Sequence, residues 1–423
     1  MSKRIIIFYE HIKREYDACL TLKDQIERSN SDYKVFLYSI TFEYFEAIKI
    51  ADNEKIDMII MPWIYTDKDY ELVQPFVKRN ANIYIANLHH EQIASEATEI
   101  VVLPSGECAK NSVVHLVWGS FFKEKLLHYN VRKDLIFVTG NIRTDHAFQT
   151  SLSREDISKE FQLDINKKWI LFSESRGWVL TNSQKKDEHL ISLGFSKGDI
   201  KERAEITKKS LERTIEEFDE LSDAFFQQYE LIYRPHPGTE VPKNINKRVK
   251  VIDKYPIYDW INCIDVNVVW SSTTIFESDL KSVPSIVYEP TKHPDKFQAY
   301  GLNQYPRISR FDEINEDIIA FYRTQIAPQK IYERYIGQVD GKSVERTRDV
   351  IIKILNKGID GYKANRIGCN KKRFIKMYLF EKITRLFVKL GIIEIVRYPN
   401  TAYQMRSDIP YRDTRKNKIY VKN

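Results

Sequence analysis

Long apolar runs are missing from this 423-residue chain, and none approaches the roughly 20 residues needed to cross a bilayer. The opening "MSKRIIIFYEH" has too short an apolar stretch, and the wrong flank, for a secretory signal. Cysteine is scarce: Cys19, Cys108, Cys263 and Cys369 lie far apart, with no CxxC pair and no metal-ligand spacing. That speaks against a disulfide scaffold and against structural zinc, and for a reduced, cytoplasmic protein. No GxGxxG follows the first apolar run, which argues against a dinucleotide oxidoreductase. No metal and no cofactor are expected.

What is present is an ordinary globular balance, 43% hydrophobic and 30% charged, in a chain long enough for two or three cores. The net charge of +7 is unevenly placed. Residues 361–423 hold sixteen Lys/Arg against four Asp/Glu, so the rest of the chain is net acidic. The tail should therefore meet something anionic, and the body is not expected to bind nucleic acid.

Apolar, β-branched runs alternate with helix-length segments. "RIIIFYE" (4–10), "YKVFLYSI", "IDMIIMPW", "ANIYIANL", "EIVVLPSG" and "LIFVTGN" (135–141) read as five or six strands. After a polar connector the alternation restarts at "KWILFSES" (168–175), passes a charged helical stretch near 199–228, and continues through "YELIYRPHP", "VKVID", "VNVVWSS" and "PSIVYEP". Such alternation predicts parallel sheets. The expected fold is α/β: two Rossmann-like, doubly wound domains, 1–150 and 165–355, facing a central cleft, with a basic helical extension over 356–423.

Ligands of open α/β sheets sit beyond the carboxyl ends of the strands, and several polar groups gather at such ends. "FSESRGW" offers Ser173, Ser175 and Arg176, "YRPHPGTE" offers Arg234, His236 and Glu240, and "VVWSSTTIFES" offers Ser271, Ser272 and Thr273 before a helix bearing Glu277. Hydroxyls and free N–H groups opening a helix suit a phosphate, although a Ser/Thr run there is commonly only a cap. Glu277, about one turn on, suits the two hydroxyls of a ribose. His236, fixed between prolines, suits a phosphate oxygen of a leaving nucleotide.

The succession "VTGNIRTD", "SESRGW", "RPHPGTE" and "SSTTIFES…SVPSIVYEP" resembles bacterial surface-carbohydrate biosynthesis glycosyltransferases of the GT-B type, with relatives among Kdo, sialyl and teichoic-acid polymer transferases. The opening "YEHIKREYDACLTL" is similar to that family's start, and the resemblance spans about residues 4–290. It implies nucleotide binding by His236, Ser271, Ser272, Thr273 and Glu277, and draws in Gly140 and Asn141. Two departures are Ile142, where the family usually shows proline, and Ser282, where glycine commonly precedes the next strand.

The first half should supply the acceptor side and the base. "YEHIKREYD" offers Glu10, His11, Arg14, Glu15 and Asp17, and "ANLHHEQ" offers His89, His90 and Glu91. Glu15, His90 and Glu91 are the expected catalytic groups, joined by Asp145 near the domain junction. Acidic residues opening a helix also favour its dipole without any chemistry. Metal binding by His89, His90 and Glu91 is disfavoured, because adjacent side chains point apart. His115 and Trp118 read as a buried structural pair.

Within 371–397, an apolar stripe (Phe374, Met377, Tyr378, Phe380, Ile383, Phe387, Leu390) alternates with Lys/Arg. This fits a basic amphipathic helix lying on an anionic membrane surface; the rival is a helix packed across the domains. The resulting expectation is a peripheral enzyme on the inner face of the plasma membrane, using a nucleotide-sugar donor and a glycan or lipid-linked glycan acceptor. The donor is expected to be CMP-linked, Kdo- or sialic-acid-like. Its rivals are a CDP-glycerol or CDP-ribitol phosphotransferase, a nucleotide-sugar epimerase and a non-catalytic scaffold.

Overall fold

A computed structural model of the chain describes residues 2–149, 152–175, 184–236 and 241–390. Two compact units emerge: unit 1 is Met1–Gln92, Leu103–Asp145 and Lys342–Asn423, and unit 2 is Ile93–Val102 and His146–Gly341. Unit 1 contains β1 (Lys3–Tyr9), β2 (Tyr33–Ser39), β3 (Met58–Met61), β4 (Tyr84–Asn87), β5 (Val114–Val117) and β6 (Ile136–Val138), in the order β2-β1-β3-β4-β5-β6. Unit 2 contains β7 (Lys168–Ser173), β8 (Tyr229–Arg234), β9 (Lys250–Val251), β10 (Val266–Val269), β11 (Ser285–Tyr288) and β12 (Arg307–Ile308), in the order β12-β11-β10-β7-β8-β9. Every described pairing is parallel.

The continuous apolar run of β1 follows from helices covering both faces of its sheet. Ile5, Ile7 and Tyr9 enter one core with Leu22 and Ile26, while Ile6 and Phe8 enter the other with Tyr44 and Phe76. Strand order fixes where ligands belong. In unit 1 the chain leaves β1 for β2 on one side and returns to β3 on the other. Unit 2 does the same from β7, with β8 and β9 on one side and β10 on the other. These reversals open a crevice at the carboxyl ends, between β1 and β3 and between β7 and β10.

Three expectations change. "EIVVLPSG" is not a strand: Glu99–Val101 is a short 3₁₀ turn, Ile100 is exposed, and the segment divides after Val102, its first four residues belonging to unit 2, where Ala97 N–H bonds Lys296 O and Tyr300 bonds Glu99. Ile100 sits on a surface turn while Leu103 is buried, and "VVHLVW" supplies the strand instead. Second, helix Ser343–Lys357 belongs to unit 1, not to the second domain, because Val344, Ile351, Ile354 and Leu355 fill the core around Ile5 and Ile7.

The third change concerns helix Lys371–Leu390, which docks on unit 1. Phe374 and Met377, two of the seven residues of the expected lipid stripe, pack instead against the core of Tyr44 and Phe76, and Tyr378 of the same stripe meets Phe45 edge-on at 5.2 Å. Glu381 accepts the Phe45 N–H at 3.1 Å, and Arg385 donates to Phe42 O and pairs with Glu46 at 2.8 Å.

Candidate functional site

At the β1/β3 crevice of unit 1, the strand ends on Tyr9 and the chain enters a π-helical segment, Ile12–Tyr16, before helix Asp17–Ser29. Wide π turns concentrate at functional sites. This one carries Glu15, only 1% exposed, whose carboxylate accepts the backbone N–H of Glu10 at 2.7 Å and of His11 at 3.3 Å. Across the crevice, Trp63 Nε1 donates to Glu10 Oε2 at 2.9 Å. His90 Nε2 lies 3.7 Å from Glu15, and Arg14 pairs with Glu91. Arg143 donates to His90 O at 3.1 Å, leans on the Trp118 ring at 5.3 Å, and is held by Asn141 Oδ1. Three of the four expected catalytic residues, Glu15, His90 and Glu91, are thus brought together. Glu10, His11, Arg14, Trp63 and Arg143 complete the group, and "YEH" at a strand end was the signal for the first two.

Electrostatics sorts the members. Burial, helped by Arg14, lowers the His11 imidazole to about 4 against the pull of Glu15 and Glu91, so it is neutral at pH 7. Burial, Arg143 and Arg14 likewise keep His90 neutral. Burial opposes ionisation of Glu91, but Arg14 and Arg143 outweigh it and hold the carboxyl below its usual range.

His89 faces elsewhere. Its backbone is left-handed (φ 49°), and its N–H is held by Asn87 Oδ1 at 2.9 Å. His115 Nε2–H donates to Ala109 O at 2.8 Å, which leaves His115 Nδ1 to accept from His89 Nε2–H at 2.6 Å. Burial keeps both rings neutral. His115 therefore pairs with His89 and not with Trp118, and His89, His90 and Glu91 point to three different partners. Asp145, expected among the catalytic groups, instead caps helix Ser343–Lys357 by accepting the N–H of Ser343 at 3.0 Å and of Val344 at 2.8 Å. Gly140 has φ 89°, and a Cβ there would collide with the Ser343 side chain, so its glycine has a packing reason. A DxD spacing that the expectation of no metal overlooked occurs at Asp67–Asp69. Asp69 closes a capping box with Thr66, and Asp67 accepts the Cys108 N–H at 2.9 Å, so both carboxylates serve the backbone.

At the β7/β10 crevice of unit 2, Ser271 N–H donates to Ser175 Oγ at 3.1 Å, joining the two central strand ends. Ser173 is buried there, and its Oγ has no hydrogen-bond partner among the described residues. Arg234 ends β8, and its Nη2 donates to Tyr255 O at 2.7 Å. Burial draws its guanidinium down from the ordinary value against Glu277, Asp253 and Asp259. Half-buried His236 follows two residues later. Buried Glu277 accepts from Tyr258 Oη at 3.0 Å. The helix after the Ser/Thr cluster, Thr274–Asp279, has only six residues, and Ser272 Oγ accepts the Thr274 N–H at 3.3 Å. What this strand end offers an anion is hydroxyls and Arg234, not a long helix dipole. Arg176 and Glu240 lie outside the described residues.

The two doubly wound, six-stranded parallel sheets, expected from the strand alternation, match the GT-B type of α/β fold that the resemblance implied. No family model matches the chain, and no curated protein sequence matches it. Solved structures of the same fold do. A Listeria monocytogenes protein assigned as a UDP-N-acetylglucosamine 2-epimerase aligns over 88% of this chain and 100% of its own, at 12% identity and TM-score 0.51. The wall teichoic acid polymerase TagF aligns over 85% of this chain and 90% of its own, at 10% identity and TM-score 0.54. A TagF variant soaked with CDPG aligns over 84% and 89%, at 10% identity and TM-score 0.51.

Proposed function

We propose that the chain is an enzyme of surface-carbohydrate synthesis, moving a sugar from a nucleotide-activated donor to a polysaccharide or its lipid-linked precursor. The observation that carries this reading is the β7/β10 crevice, where serines from both central strand ends meet and the half-buried Arg234 stands in register beside Ser173. In this reading Arg234 and His236 meet the donor phosphates, Ser271, Ser272 and Thr273 hydrogen-bond their oxygens, and Glu277 takes the ribose hydroxyls. A cation placed where charge grows on the departing phosphate lowers the barrier most. Unit 1 takes the acceptor. Glu10 or His11, both half-buried, removes the acceptor proton, and Glu15 holds their backbone.

The CDPG-soaked TagF variant favours a second reading, in which the donor is CDP-linked and a polyol phosphate moves. The mass of the product separates the two. Thermal shift with CMP, CDP, UDP and GDP, with and without magnesium, tests both. One nucleotide is expected to raise the melting temperature of the wild type, and His236→Ala with Ser271→Ala to abolish that rise. No binding at millimolar nucleotide sinks the enzyme reading and favours a scaffold.

A further inference from the structure

Helix Lys371–Leu390 has two apolar stripes, and among the described residues unit 1 covers one of them. The other runs through Ile375, Leu379, Ile383, Leu386 and Leu390, exposed by 60, 52, 49, 52 and 61%. Steps of four, four, three and four residues keep these side chains in one line, about 22 Å long at 1.5 Å per residue. With Tyr378, this helix holds six of the sixteen exposed large hydrophobic residues among those described. Lone exposed leucines need no explanation, but a continuous line of them marks an interaction surface.

Charge selects the occupant. Lys371, Lys372 and Lys376 are exposed and Lys382 is half-exposed. The helix's single acid, Glu381, is 2% exposed and turned inward onto the Phe45 N–H. The free side therefore presents apolar and cationic groups without a carboxylate. We infer that this face seats unit 1 on an anionic lipid bilayer, the helix lying in the plane of the interface. Leucine and isoleucine enter the acyl boundary while the lysines meet lipid phosphates. A second copy of the chain is a poorer partner, because two such faces bring lysines together with no acid to pair them.

Docking makes the seat directional. Arg385 and Glu381 fasten the C-terminal half of the helix to Phe42, Phe45 and Glu46, just beyond the carboxyl end of β2. Glu10 and Trp63 lie at that same edge of the sheet, so the bilayer orients the crevice that the acceptor would enter. The inference stands apart from the donor chemistry.

Sedimentation of the full chain with vesicles tests it. Binding to phosphatidylcholine vesicles containing 30% phosphatidylglycerol is expected, with much weaker binding to pure phosphatidylcholine and loss in 0.5 M salt. The triple variant Leu379→Gln, Ile383→Gln, Leu386→Gln keeps good helix formers at exposed positions and should bind at least about tenfold less at an unchanged melting temperature. Lys372→Glu with Lys376→Glu should weaken binding to the anionic vesicles alone. The inference is overturned if the wild type ignores anionic vesicles, or if the triple variant binds as well as the wild type. It is overturned equally if sedimentation equilibrium shows a dimer that the triple variant dissolves while vesicle binding is absent.

Discussion

Glu15 illustrates how much of a strand-end carboxylate's role is set by groups far along the chain or by its own backbone. In the sequence it is an acid at the mouth of an α/β crevice. In the fold one oxygen accepts two backbone N–H groups, and His90, distant in sequence, closes over it. Its role is to position Glu10 and His11. Glu15→Ala would leave those N–H groups without their acceptor, which costs about 1–3 kcal/mol for a buried group. Glu15→Gln retains an oxygen in place and should lose under about 1 kcal/mol. Chemical denaturation of both variants measures this, with nucleotide binding in unit 2 expected to be unchanged. If Glu15 were itself the base, Glu15→Gln would match wild type in stability and be inactive on donor and acceptor together. Retained turnover in Glu15→Gln is the outcome expected here. The same lesson covers Asp145 and the Asp67–Asp69 pair, whose backbone partners no sequence window contains.

Among elements, the short helix Thr274–Asp279 carries the most tension. It ends in a Schellman pattern, with Val283 N–H on Ser278 O and Ser282 N–H on Asp279 O. Ser282 holds the left-handed position (φ 53°), which explains physically why a glycine suits that place. Inside the helix, Asp279 is fully buried, and both Tyr322 Oη, at 2.7 Å, and Tyr305 Oη donate to its carboxyl. Burial raises that carboxyl to about 8, with the tyrosines opposing. The sign of the pH effect follows. Below about pH 4 the carboxyl is protonated folded or unfolded, and stability owes nothing to the shift. Between about 4 and 8 only the unfolded chain ionises, so stability falls as pH rises; above about 8 the loss is complete. Asp279→Asn cannot ionise. It should match the wild type near pH 4 and exceed it at pH 8 and above, in urea denaturation at each pH. An equal pH slope in both proteins would show that Asp279 stays ionised in the folded state. Helix termini and strand ends here were legible from residue type, whereas a carboxyl shared by two tyrosines from later elements was not.

At the scale of the whole molecule, period and composition sufficed for two parallel sheets, because strands buried on both faces must read as unbroken apolar runs. The strand ends then followed, and with them "SES", "RPH" and "SSTT" at the β7/β10 crevice. Chain crossings left no such trace. Helix Ser343–Lys357 has the same amphipathic pattern whichever core it covers, and only the fold shows that it returns to unit 1. This has a measurable consequence. A chain ending at Gly341 would uncover the core that Val344, Ile351, Ile354 and Leu355 close, and removing even one such side chain costs about 2–5 kcal/mol. Asp145 would also lose the two N–H groups that bind its buried carboxylate. Limited proteolysis of residues 1–341 should therefore cut quickly within 1–145 while 146–341 persists, although every residue of the first sheet is present. A chain ending at residue 360 keeps the crossing helix and lacks the docked one. It should resist proteolysis much better than 1–341 while losing the vesicle binding assigned to Lys371–Leu390. Equal resistance of the 1–341 and 1–360 chains would mean that the first sheet folds without its returning helix, as a simple two-domain order along the sequence requires.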